Sequence, residues 1–149
     1  GIKVARSVNE QGVLPDWVAP VFDMSKPYRP LVTQVDADGN EIAGILLPEI
    51  AVPLATYTGW NEYRAPHPEG ELCDRDGTYA PFAATRAERE AKNDPRLSLE
   101  ERYVDHAGYV KRFTEATNQL VAARLLLTED AAVLIARAKS AEVAKRFGR

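Results

Sequence analysis

Cysteine is almost missing: Cys73 stands alone in 149 residues. No intrachain disulfide is available, so the chain is not a small secreted scaffold held by cross-links. Histidine is scarce too, with His67 and His106 the only two. Basic charge is not in excess, since the formal net charge is −3. That excludes the strong positive field of a typical nucleic-acid binder. No apolar run approaches the roughly 20 residues that span a bilayer. The N-terminus has no signal-peptide layout. Compartment stays open between the cytoplasm and, with a signal peptide upstream, the periplasm or exterior. The chain starts at Gly1 without a methionine, as an expression scar, a processed product or a fragment would. Nine glycines include no Gly-rich phosphate loop.

What is present has globular proportions, 45% hydrophobic and 28% charged, in the length of one ordinary domain. Residues 1–30 hold Pro15, Pro20, Pro27 and Pro30 beside Trp17. Each proline fixes its own φ and pushes its predecessor to extended backbone. The expectation is an extended segment with one or two short strands. Residues 31–47 alternate on both sides of "DADGN", which predicts a β-hairpin. The same letters begin like a calcium loop, but Gly39 falls at loop position 4 and Leu47 at position 12, where a bidentate Glu is required. Residues 48–84 read as an irregular arm, because Pro48 and Pro53 exclude a central strand or a helix interior.

Residues 85–149 read as helical. Thr85 with Glu88 and Ser98 with Glu101 are capping-box pairs. Leu99, Tyr103, His106, Val110, Phe113, Thr117 and Leu120 form one stripe at three-and-four spacing, so one long helix is expected from Ser98. Thr128 is expected to cap a second helix, striped by Leu134, Ile135, Ala138 and Ala141. The short loop between them predicts an antiparallel αα-hairpin. The basic C-terminal cluster "ARAKSAEVAKRFGR" suits helix C-termini. The fold class is therefore α+β.

No complete catalytic motif is present. Ser7, Ser25, Ser98 and Ser140 all lie outside G-x-S-x-G, and Ser98 is better explained as a cap. His67 sits in a loop between prolines and His106 on the apolar stripe, where a hydrogen-bonded edge histidine is expected. His67, Cys73 and Asp74 carry ligating atoms, but one loop without C-x-x-C or H-x-x-x-H spacing makes no metal site. No metal or cofactor is expected. The aromatic group Tyr57, Trp60, Tyr63 and Tyr79 reads either as a local core under a long loop or as a pocket wall. Asn61, Arg64 and Asp74 complete the candidate pocket or docking surface. Arg64 and Asp74 orient a polar substrate group there, or pair with each other.

The blocks "VDADGNEIAGILLPEIAVPLATYTGWN", "GELCDRDGTYAPFAATRAERE" and "DPRLSLEERY" carry a resemblance. From Tyr28 to Ala138 the chain resembles the C-terminal region of a bacterial family of α/β-hydrolase domain-containing proteins, regarded as serine esterases. The family pattern has an arginine where Leu46 stands, and Leu-Arg where this chain has Glu62-Tyr63-Arg64. The resemblance places the nucleophile elbow, the triad acid and the triad histidine upstream of the matched region, so no catalytic residue carries over. It implies a subdomain without its own triad, packed on a larger hydrolase body. The expected partners are that core domain or a companion chain, and a small ester substrate. The arm, stiffened by Pro48 and Pro53, would then lie across the active-site mouth. The rival expectations are a non-enzymatic interaction module and a free-standing enzyme that uses His67 or Cys73.

Overall fold

A computed structural model describes residues 11–13, 23–28, 33–67, 71–73 and 76–148. In chain order the elements are β1 (Gln11–Val13), β2 (Asp23–Tyr28), α1 (Pro48–Ala51), β3 (Ala55–Thr58), β4 (Thr78–Pro81), α2 (Arg86–Ala91), α3 (Leu99–Tyr103), α4 (His106–Ala122), α5 (Thr128–Ala138) and α6 (Ala141–Lys145). β1 pairs antiparallel with β2, with an irregularity between Gly12 and Val13, and β3 pairs with β4. The chain divides into two units, Val35–Tyr57 with Tyr79–Arg149, and Ile2–Gln34 with Thr58–Thr78.

The first unit holds the described core. Val52, Leu54, Phe82, Leu99, Tyr103, Tyr109 and Phe113 are buried together, with Leu134, Val143 and Phe147 packed on them. α4 packs on α5, as expected for a short connection. The Tyr103 hydroxyl donates to the Pro53 carbonyl at 2.7 Å, and burial pushes its pKa up to about 12. Phe82, 4% exposed, lies under two guanidinium groups, Arg102 at 4.1 Å and Arg96 at 5.2 Å from its ring centre. Both cations are also paired. Arg96 meets Asp94 through two bonds of 2.9 and 2.7 Å, and Arg102 meets Asp38. A planar guanidinium can stack on a ring and still hold a carboxylate in its own plane.

The helical third departs from one long helix. Ser98 forms the expected capping box with Glu101, but the helix it starts ends at Tyr103. Val104 stands at φ 70°, and Asp105 caps a new helix by accepting from Gly108 N at 2.8 Å. Leu99, Tyr103, Phe113 and Thr117 of the stripe are buried as expected, and the break changes it only locally. Tyr109 rather than Val110 is fully buried, and His106 is only half-buried. Gly108 is demanded by room: a Cβ there would lie 2.1 Å from the Tyr103 carbonyl oxygen. Thr128 is not a cap either. Leu127 holds the cap position of α5 without a side-chain bond, and Thr128 is the first helical residue. Thr85 and Ser140 do cap α2 and α6.

Over the described residues 33–47 the expected hairpin is reduced to its turn. Asp36 Oδ1 accepts from Asp38 N and Asn40 N, both at 2.9 Å, and Val35 bridges Glu41. No strand follows over 42–47, where Ile42 and Ile45 are 46% and 61% exposed. Asn40 accepts from Asp36 N through its backbone and also pairs through its side chain. Its Nδ2 donates to Ala55 O at 3.1 Å and its Oδ1 accepts from Tyr57 N at 2.9 Å. The amide thus takes the place of a peptide beside β3. Arm 48–84 is not irregular throughout, since it contains α1, β3 and β4. Pro48 is the first residue of α1, where its missing N–H costs nothing, and α1 stops before Pro53.

The second unit contains the β1–β2 pair, which agrees with short strands in an extended segment. It also contains a loop closed by a Glu62–Leu72 bridge.

Candidate functional site

The candidate residues do not form one group. Tyr57 belongs to the first unit, whereas Trp60, Asn61, Tyr63 and Arg64 belong to the second. Asp74 lies outside the described residues, so its pairing with Arg64 does too.

In the second unit, Cys73 N donates to Asn61 O and Tyr63 N to Glu71 O, both at 2.9 Å. Trp60 is half-buried, and its carbonyl accepts from Thr58 Oγ1 at 2.5 Å and Thr78 Oγ1 at 3.1 Å. Tyr63, 41% exposed, stacks on His67 with ring centres 4.4 Å apart. The neighbouring Cys73 raises the Tyr63 phenol pKa. His67 Nδ1 stands 3.9 Å from Glu71 Oε2, with both side chains about half exposed. A nucleophilic cysteine needs a base or cation that favours its thiolate.

In the first unit, Tyr57 lines a cleft of about 360 Å³ with Tyr79, Tyr109, Phe113, Glu49, Arg137 and Arg146. The ring centres of Tyr57 and Tyr79 are 5.3 Å apart, edge to face. Arg146 stands over Tyr79 at 5.4 Å and donates to Leu54 O at 3.1 Å. Burial raises the Tyr57 pKa, and the nearby Arg146 charge partly offsets it. Burial lowers the Arg146 pKa. Tyr57, singled out from the sequence, lines this cleft together with Glu49, Arg137 and Arg146, which the sequence did not single out. No spacing could have shown them, because α1, α5 and the segment after α6 meet only in the folded chain.

The remaining polar candidates have structural duties. Ser98 Oγ donates to Glu101 Oε2 at 2.7 Å, and Ser140 caps α6. Ser25 Oγ bonds Asp23 Oδ1 at 2.5 Å. Ser7 lies outside the described residues. His106 Nε2 lies 2.8 Å from the Ala138 carbonyl, joining the start of α4 to the end of α5. That is the hydrogen-bonded edge position expected of it. Among the described residues no cluster of three or more His, Cys, Asp or Glu could hold a metal ion. Among them also, no helix is long and apolar enough to cross a membrane.

A family model described as an alpha/beta hydrolase domain matches residues 8–136. That is most of the chain, and the chain belongs to this family. No curated protein and no solved structure matches it.

Proposed function

We propose that this chain is a non-catalytic C-terminal part of a bacterial carboxylic-ester hydrolase of the α/β-hydrolase class. It packs on the hydrolase core and shapes the mouth of the active site. The whole enzyme works by acyl transfer: a serine oxygen attacks the ester carbonyl, the alcohol leaves, and water releases the acid. The observation that carries this reading is the use of the described serines and of His106. Ser98 and Ser140 are helix caps, Ser25 is bound to Asp23, and His106 is bound to a backbone carbonyl. None stands on the sharp strand-to-helix turn that a nucleophile elbow requires. The family supplies the chemistry, and the described residues supply aromatic surface.

Trp60 is the residue on which the test turns, because a half-buried Trp in a short loop suits an interface anchor. In the complete hydrolase, Trp60→Ala is expected to raise KM for a p-nitrophenyl ester at constant kcat, or to lower the melting temperature. Loss of uniform binding has that kinetic form. Unchanged kinetics and unchanged melting would refute a docking or mouth-shaping role.

A further inference from the structure

The cleft of the first unit brings unmatched charges of both signs to one apolar surface. Tyr109 and Phe113 of α4 form its aromatic wall, with Tyr57 of β3. Glu49 enters from α1. Its Oε2 is buried, and it has no hydrogen-bond partner among the described residues. A buried carboxylate oxygen without a donor is costly, which favours a cation beside the carboxylate at its other oxygen. Arg146 is the converse. It is half-buried, and its only hydrogen bond from the guanidinium goes to the Leu54 carbonyl, with no carboxylate paired to it among the described residues. Arg137 adds a second guanidinium on the same cleft. Glu142, four residues before Arg146, lines the same cleft, and Glu49, Arg137 and Arg146 all act electrostatically on Tyr57.

We propose that this cleft binds a small zwitterion of dipeptide length with an apolar or aromatic side chain. Its ammonium group meets Glu49, and its carboxylate meets Arg146 with Arg137. The side chain lies against Phe113 and Tyr109. Among the described residues neither Glu49 nor Arg146 has a carboxylate–guanidinium partner, which selects a ligand carrying both charges over one carrying either. A cleft of about 360 Å³ accommodates such a molecule. The site is separate from ester cleavage and does not depend on the esterase reading.

The test is an NMR titration of the 149-residue chain with the dipeptide Ala-Phe, its N-acetyl form and its C-terminal amide. The free dipeptide is expected to shift cleft resonances and to bind about tenfold tighter than either blocked form, since a charged hydrogen bond is worth about that factor or more. Glu49→Gln should abolish the preference over the N-acetyl form only. Arg146→Gln should abolish the preference over the amide only. Tyr57→Phe keeps the ring and should bind within a few fold of the parent, which separates loss of ligand contacts from loss of the fold. No binding of Ala-Phe, equal binding of all three forms, or preferences that survive both charge variants would overturn the proposal.

Discussion

Asn40 should be the most sensitive polar residue of the first unit. It is 1% exposed and holds β3 at two points, Ala55 O at 3.1 Å and Tyr57 N at 2.9 Å. Asn40→Ala removes both bonds and leaves a carbonyl and an amide facing a hole. Each stranded buried group costs about 1–3 kcal/mol, so the pair gives about 2–6 kcal/mol before any water enters. We expect about 3 kcal/mol, with water relieving part of the sum. Asn40→Asp is the informative companion. It keeps the acceptor for Tyr57 N but turns a carboxylate toward the Ala55 carbonyl. Its loss relative to the parent should be large at neutral pH and shrink on acidification, because the protonated acid can donate again. The control is Asn118→Ala on the exposed surface of α4, expected within about 0.5 kcal/mol. Urea denaturation followed by tryptophan fluorescence and far-UV circular dichroism reads all three. A loss below about 1 kcal/mol for Asn40→Ala would show that the amide does not act as a peptide surrogate.

Three further outcomes are expected. Gly108→Ala should destabilise by about 1–3 kcal/mol in urea melts, reversing the usual helical gain, because the new methyl meets the Tyr103 carbonyl oxygen at 2.1 Å. Val104→Gly should instead stabilise by about 0.5 kcal/mol, since left-handed backbone costs a branched residue about 1–2 and the freed chain returns about 0.4–1; its side chain is 82% exposed, so little packing is lost. Glu101 is held at a pKa of about 2 by hydrogen bonds from Ser98, and then by Arg89. A depressed carboxylate stabilises the fold above its ordinary value of 4.5, and that contribution is lost as pH falls toward 2. Glu101→Gln should therefore be less stable at neutral pH and show a flatter acid decline between those values; an equally steep decline would assign it to other groups.

Local chemistry was legible, and tertiary choices were not. Ser98 with Glu101 read correctly as a capping box and Thr85 as a cap, because a cap depends on residues three apart, although the Glu88 carboxylate accepts from Ala84 N rather than Thr85 N. His106 read correctly as a hydrogen-bonded edge residue. The long helix failed at Val104 because Asp105 offers a second cap and Gly108 lets the two helix ends approach, a pattern weaker than the periodicity around it. Thr128 misled by sitting one residue inside the helix, a difference propensity does not resolve. The hairpin expectation could not include the side-chain pairing of Asn40 with β3, fifteen residues and more away in sequence. Tyr57 was recognisable as a candidate, but the charges around it come from Glu49, Arg137 and Arg146 on other elements. Trp60, Asn61, Tyr63 and Arg64 looked continuous with Tyr57 along the chain, yet fall in the other unit.

The most direct measurement is hydrolysis of p-nitrophenyl acetate by the purified 149-residue chain beside a His67→Ala, Cys73→Ala double variant. The expected result is no turnover above the buffer rate for either protein, because the described serines are committed to caps and turns and His106 to a backbone carbonyl. Turnover by the parent chain that the double variant abolishes would contradict a non-catalytic role and assign the chemistry to the 61–73 loop.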